Sequence, residues 1–270
     1  MTLGVTKNLR TSLRSPLEAP DDGVQKMIVR RCETGPADVV LGPVQRLEVN
    51  QVFAVFDLDR TITKHGTFTA FLLSNRKNIA ARVALMLRIL RHMIAYKLGR
   101  IDRASLKNRM LALALHGRSR EEIQQAAERF VARILETGIR DGSLSVISKH
   151  RAAGDTLVLA TASIDLYASI FARHLGFDHV VCTSTAVGKC GQQLLCIPGK
   201  NCYGEEKLIR VAEVLLQNDT VTRDKIFVSA YSDDLCDLPL LEWSDAPTVV
   251  CPSLRTRLAA VARRMKVVKW

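Results

Sequence analysis

Three things are scarce in this chain, and each scarcity removes a class of protein. Aromatic residues are few, fourteen Phe, Tyr and Trp in 270 residues, too thin a supply for a platform on which single-stranded nucleic acid would stack. No apolar run reaches membrane-spanning quality. The most apolar long segment, 78–98, carries a cation every few residues, and each costs roughly 2.5–3.5 kcal/mol near a bilayer centre. The beginning of the chain lacks the long apolar core of a secretory signal, so export is not expected. Cysteine pairing signals are missing too. The seven cysteines (Cys32, Cys182, Cys190, Cys196, Cys202, Cys236 and Cys251) are odd in number, with no C-x-x-C and no nearby His to complete a zinc pattern. Cys190, Cys196 and Cys202 recur every six residues, but Gly188, Gly191 and Gly199 among them suggest a β excursion, and free thiols in a reducing cytoplasm are expected. No internal repeat is visible.

Against these absences stands one dense signal. Val52-Phe53-Ala54-Val55-Phe56 is a five-residue apolar run after Asn50 and Gln51, and it ends in Asp57-Leu58-Asp59-Arg60-Thr61. Such a run reads as a fully buried strand. Alternate residues of an extended chain share a face, so Asp57 and Asp59 can look into one pocket at the strand's carboxyl end. Two carboxylates that close repel unless a cation or a shared proton relieves them. D-x-D-x-T alone also fits a solvated turn after a strand. The companions downstream decide against the turn.

A second apolar strand, Leu157 to Ala160, ends in Thr161-Ala162-Ser163 and is followed by a helical run from Ile164 to Leu175. Lys207 opens another helical run just after Gly204. A third strand, Ile226 to Ala230, ends in Tyr231-Ser232-Asp233-Asp234-Leu235-Cys236-Asp237. With these four motifs in order, the sequence resembles the haloacid dehalogenase superfamily of aspartyl-nucleophile phosphohydrolases from about Val52 to Trp270. The resemblance implies a nucleophile at Asp57, a general acid/base at Asp59, phosphate binding by Thr161 and Lys207, and an acidic pair in Asp233 and Asp237. It also implies a Mg²⁺ among Asp57, Asp59 and Asp233, with Asp237 orienting ligands from behind. Hard carboxylate oxygens and a phosphate substrate suit that ion, and Lys207 adds a point charge against the phosphoryl oxygens. Arg60 departs from the family, many of whose members have a small residue there. Asp234 is expected to be a solvated neighbour.

Alternating strands and helices argue for an α/β fold, a doubly wound parallel sheet of Rossmann-like type with an inserted helical cap. The expected organisation is a flexible extension over 1–46, rich in Pro and Gly breaks, a phosphatase core over 50–65 and 152–270, and the cap over 66–151. Within the cap, helices are expected over 78–98, 105–115 and 121–135, stopped by Gly99, Gly117 and Gly138, with Ser119 as an N-cap.

The cap holds the charge. Residues 64–153 carry eighteen Lys and Arg against six Asp and Glu, a surplus of +12 that equals the net charge of the whole chain. From Arg76 to Arg109 ten basic residues face one acid, Asp102. So concentrated an excess is a binding surface rather than a solubility effect. On a helix over 78–98, Ile79, Val83, Met86, Leu87, Leu90, Met93, Ile94 and Leu98 share one broad arc. Arg82, Arg88, Arg91 and His92 lie on the other side, interrupted by Leu85, Ile89 and Tyr96. Two readings fit: an ordinary cap helix with this arc toward the core, or a helix lying in the interface of an anionic membrane. Within the superfamily the chain is similar to the cap-bearing branch that includes phosphatidylglycerophosphate phosphatases. Phosphoserine phosphatases share the skeleton, but their second motif usually ends in glycines where this chain has Ala162-Ser163. The expected activity is therefore Mg²⁺-dependent hydrolysis of an anionic lipid phosphate such as phosphatidylglycerophosphate, in a cytoplasmic protein that associates peripherally with the inner face of the membrane. A soluble phosphomonoesterase of the phosphoserine phosphatase type is the alternative. Nucleic acid is not expected as a partner.

Overall fold

The computed structural model describes residues 51–186, 196–217 and 221–270. The expectations for residues 1–46, for Cys32 and for Cys190 with its neighbouring glycines lie outside the described residues. Six strands form one wholly parallel sheet: β1 (Gln51–Phe56), β2 (Thr156–Ile164), β3 (His179–Thr183), β4 (Ile226–Ser232), β5 (Ala246–Val250) and β6 (Lys266–Val268). Their order is β3-β2-β1-β4-β5-β6. The chain winds outward from β1 in one direction, then returns and winds the other way from β4. The reversal falls between β1 and β4, where open α/β sheets place their ligands, outside the carboxyl ends of the strands. This is the expected doubly wound α/β sheet.

Burial on both faces explains why β1 reads as a continuous apolar run. Ala54 and Phe56 pack with Leu157, Leu159, Tyr167 and Phe171 on one face. Phe53 and Val55 pack with Val158, Val211, Val228 and Trp243 on the other.

Between β1 and β2 the chain makes five helices: α1 (Thr67–Ser74), α2 (Ile79–Lys97), α3 (Arg103–Leu115), α4 (Arg120–Thr137) and α5 (Asp141–Ala153). The excursion leaves and returns through a paired neck. Lys64 N donates to Gly138 O (2.7 Å) and Arg140 N to Ile62 O (2.9 Å). Beyond the neck α5 packs back on β2. α2, α3 and α4 begin where N-caps dictate, with Asn78, Asp102 and Ser119 each accepting the backbone N–H three residues on. Ser119 and Glu122 complete a reciprocal capping box. Neither α1 nor α5 was expected. α1 is only eight residues with two threonines, so its helicity comes from what it packs against rather than from propensity. Four further helices complete the layers: α6 (Asp165–Leu175), α7 (Glu205–Leu215), α8 (Leu238–Trp243) and α9 (Leu254–Ala262).

The broad apolar arc of α2 does not face the core. The helix packs on α3 through a narrow strip at Leu85 and Ile89, 3% and 0% exposed, on the side that carries the arginines. The arc expected to be buried in an ordinary cap helix faces outward. Accordingly, Ile89→Ala is expected to destabilise the protein by about 2–4 kcal/mol, whereas Leu90→Ala stays within about 0.5 kcal/mol of wild type. Urea unfolding of the two variants checks the orientation, and equal losses would contradict it.

Candidate active site

The turn after β1 is tightly specified. Asp57 N donates to Tyr231 O on β4 (2.9 Å), and Leu58, Thr61 and Ile62 are buried beneath the turn. Arg60 adopts φ +62°, a left-handed conformation that costs a non-glycine residue roughly 1–2 kcal/mol. That geometry gives a physical reason for the small residue common at this position in the resembled family. Thr63, which the sequence did not single out, closes the loop by accepting from Arg60 N (3.2 Å) and donating to His65 O (2.7 Å).

The strand registers bring the other motifs to the same place. Phe56 pairs with Leu159 on β2 and with Tyr231 on β4. Thr161 and Asp233, each two residues further on, therefore flank the Asp57–Asp59 turn. Thr161 is fully buried, and its Oγ1 accepts from Ser163 N (3.0 Å) where the β2 register shifts.

Lys207 is the centre of charge. It is 1% exposed, and Nζ donates to Asp57 Oδ1 (2.8 Å) and Asp237 Oδ2 (2.7 Å). Asp237 also accepts from Ser232 Oγ (2.6 Å). Lys207 reaches this point because α7 starts abruptly at Gly204, whose φ of +62° and ψ of −131° suit glycine alone. Burial pulls the Lys207 ammonium down, but Asp237 and Asp57 outweigh it and hold the group well above its ordinary value. Burial raises Asp57 well above the carboxylate range, Lys207 opposes that rise, and Asp237 and Asp59 add to it.

Asp59 points elsewhere. Its Oδ1 accepts from Thr67 N (2.5 Å) and Thr67 Oγ1 (2.6 Å), and its Oδ2 from Ser163 Oγ (2.7 Å). Tyr167 OH donates to Ser163 Oγ (2.8 Å). Burial, with Asp59 nearby, holds the Tyr167 phenol far above its ordinary value, so it stays protonated. Thr67, Ser163 and Tyr167 escaped the sequence reading as functional residues. The one available signal was Ser163, noted only as a departure within its motif. Lys107 of α3 escaped as well. Its Nζ donates to Ala162 O (2.6 Å), and burial, followed by Arg103, lowers its pKa to about 8.

Asp233 is part-buried, and burial followed by Asp234 raises its pKa to about 7, with Arg60 opposing. Asp234 is exposed and caps the following turn through Cys236 N (2.9 Å). Asp57 and Asp237 thus share one buried ammonium, Asp233 stands at the end of the neighbouring strand, and the donor chemistry of these carboxylates fits a hard divalent cation. Among the described residues no three His, Cys, Asp or Glu side chains form a ready-made metal cage. Mg²⁺ does not require one, since it is commonly held by one or two carboxylates with water and substrate phosphate completing the shell. The buried Thr61 hydroxyl in the same turn has no hydrogen-bond partner among the described residues. Cys182, Cys196, Cys202, Cys236 and Cys251 are free thiols.

Removing the central cation should be costly. Lys207→Met is expected to lower stability by about 3–5 kcal/mol, because it strands two buried carboxylates. Asp237→Asn in that background should recover part of the loss by removing one of them. Urea unfolding of both variants tests this, and a double variant less stable than Lys207→Met would refute the account.

Residues 54–242 match the model of the haloacid dehalogenase-like hydrolases. The chain is 31% identical over 195 residues to Protein CicA of Caulobacter vibrioides, spanning 72% of this chain and 83% of that protein. A Bordetella pertussis protein of unknown function superposes with a TM-score of 0.72 at 26% identity, covering 81% of this chain and 98% of that one. A probable phosphoserine phosphatase from Vibrio cholerae, 12% identical, shares the fold with a TM-score of 0.59 over 83% of this chain and 63% of that one. The family match begins inside β1, spans the helical excursion and ends beyond the Asp233–Asp237 motif, and the chain belongs to the haloacid dehalogenase-like hydrolases.

Proposed function

We propose that this hydrolase cleaves phosphomonoesters through an aspartyl-phosphate intermediate, with Asp57 as nucleophile. The observation that carries the proposal is a buried carboxylate at the sheet's reversal point, held by Lys207 at 2.8 Å. An Oδ of Asp57 attacks phosphorus and the ester P–O bond breaks. Asp59 gives its proton to the departing oxygen. Asp59 then takes a proton from water as that water attacks the phosphoryl group, which leaves as inorganic phosphate and regenerates Asp57. Lys207 and the Thr161 hydroxyl stabilise the phosphoryl oxygens. Asp57 and Asp233 would hold Mg²⁺, which when bound neutralises charge on both the carboxylates and the phosphoryl group. Asp59 was grouped with the metal ligands on sequence, but its side-chain oxygens already accept from Thr67 and Ser163, which speaks against a metal ligand and leaves proton transfer as its proposed role.

The substrate we infer is an anionic lipid monoester with a second acidic group, of which phosphatidylglycerophosphate is an example. The surplus of +12 on residues 64–153 supports an anionic substrate, and Lys107 offers a second cation beside the second motif. A soluble phosphomonoester of the phosphoserine type is the alternative. Phosphate release from a panel holding both, with simple monoesters, separates the two.

Two outcomes are expected. Asp57→Asn, nearly isosteric but unable to form the acyl phosphate, should retain the fold and lose turnover by at least about a thousandfold. Residual activity within tenfold of wild type would remove Asp57 from the nucleophile's role. Lys107 deprotonates near pH 8, so its attraction for a second anionic group is present below that pH and fades above it. KM should therefore rise through pH 8 with kcat little changed, and Lys107→Met should flatten that rise. An unaltered KM profile in the variant would dismiss Lys107 as a substrate contact.

A further inference from the structure

The outward arc of α2 is the least expected feature of the surface. Ile79, Val83, Leu87, Leu90, Ile94 and Leu98 are 47–77% exposed, and Met86 and Met93 are 40% and 38% exposed. Of the twelve large apolar side chains that stand exposed among the described residues, these are eight. Single exposed apolar residues need no explanation, but a contiguous set on one helix marks a contact surface. The arc spans ~140° at ~100° per residue, with Arg82 and Arg91 at its two borders.

A groove adjoins this arc. Where α2 meets α3 there is a broad, open depression of about 620 Å³ lined in part by Arg76, Arg88, His92, Arg109 and His116. It continues into a second of about 360 Å³ that takes in Leu87 of the arc together with Arg88 and Arg91. No acidic residue lines either depression. Among the described residues Arg88, Arg91 and Arg109 have no carboxylate partner. Burial, followed by Arg109 and Arg91, lowers the pKa of His92, as expected where positive charge goes uncompensated.

We propose that this face of α2, with the arginine-lined groove beside it, docks on an anionic lipid bilayer, the apolar arc entering the acyl boundary and the groove receiving acidic headgroups. Charge selects this occupant over two others. A second copy of the chain in a two-fold contact would set Arg88, Arg91 and Arg109 against the same residues. Residues 1–50 of this chain carry seven Lys and Arg against six Asp and Glu, so they offer no acidic surplus to match the groove. An anionic bilayer supplies both halves of the complement, an apolar interior and a surface potential that attracts each basic residue near it. The surface deepens the lipid-phosphate reading but is tested apart from it, because it requires no turnover.

The test is co-sedimentation of the full chain with vesicles of phosphatidylcholine, with and without phosphatidylglycerol, neither of which is a phosphomonoester. The protein should bind the phosphatidylglycerol vesicles at low salt, release as salt rises, and ignore phosphatidylcholine alone. Arg88→Gln, Arg91→Gln and Arg109→Gln together should weaken that binding on the order of a hundredfold. Leu87→Ser, Leu90→Ser and Ile94→Ser together should also abolish it. All six positions are exposed, so both variants should melt near wild type and hydrolyse a small soluble ester normally. Wild type indifferent to phosphatidylglycerol, or an arginine variant that binds as wild type does, would overturn the proposal. A dimer in sedimentation velocity that the serine variant dissolves would assign the face to a second copy instead. Vesicle binding without hydrolysis of any lipid phosphate would refute the substrate reading and leave the docking surface standing.

Discussion

One ammonium holds this site together. Lys207, 1% exposed, bridges Asp57 from the end of β1 and Asp237 from beyond β4. Desolvating one cation and two carboxylates costs more than a well-packed apolar replacement would, so folding alone gives little reason to keep them there. The surrounding chain is arranged around the bridge all the same. Gly204 takes a conformation that costs other residues so that α7 can start at the right point. Ser232 spends its hydroxyl on Asp237. Arg60 accepts a left-handed backbone so that two aspartates can leave one strand in different directions. Strain and buried charge kept together at a strand end are the mark of a site maintained for chemistry.

The second constraint joins the sheet to the insert. Thr67 is the first residue of α1, and its N–H and hydroxyl both close on Asp59. Asp59 therefore acts as an anionic cap for the first helix of the insert, where helix N–H groups are otherwise unsatisfied. The residue proposed for proton transfer is thus held by the first helix of the insert. Ser163, at the end of β2, donates to the other carboxylate oxygen and is itself held by Tyr167 OH from α6.

The three strands that carry the motifs, β1, β2 and β4, were legible because they are short apolar runs bounded by polar residues, whereas β3, β5 and β6 were not singled out. The carboxylate motifs were legible because they sit at fixed offsets from those strand ends. What remained hidden came from long-range contact. Nothing in Thr67-Phe68-Thr69 announces a helix that caps Asp59, since the partner lies eight residues back across a turn. Lys107 is one of ten basic residues in its stretch, most of them exposed, and only the packing of α3 brings it to the second motif. The orientation of α2 was undetermined for a related reason. A helical wheel shows an apolar arc and a mixed strip, but which one meets a neighbour depends on whether that neighbour offers a broad or a narrow apolar face. α3 offers a narrow one, and Leu85 with Ile89 fills it.

α3 is consequently the element through which the two sides of the insert communicate. One side of it delivers Lys107 to the backbone of the second motif, and another side builds the basic groove with α2. Packed helices lie about 8–10 Å apart, so the outer surface of α2 is roughly two helix layers from the carboxylates of the candidate site. That separation is longer than the Debye length of about 8 Å at physiological salt. The exposed arginines of α2 therefore contribute little to the electrostatics at Asp57. Their charge acts on whatever approaches the insert from outside, while the part-buried Lys107 and the buried Lys207 act on what has already entered. The same surplus of positive charge is thus divided by solvent screening into a long-range attraction at the surface and a short-range one at the site. A phosphate ester would meet them in that order.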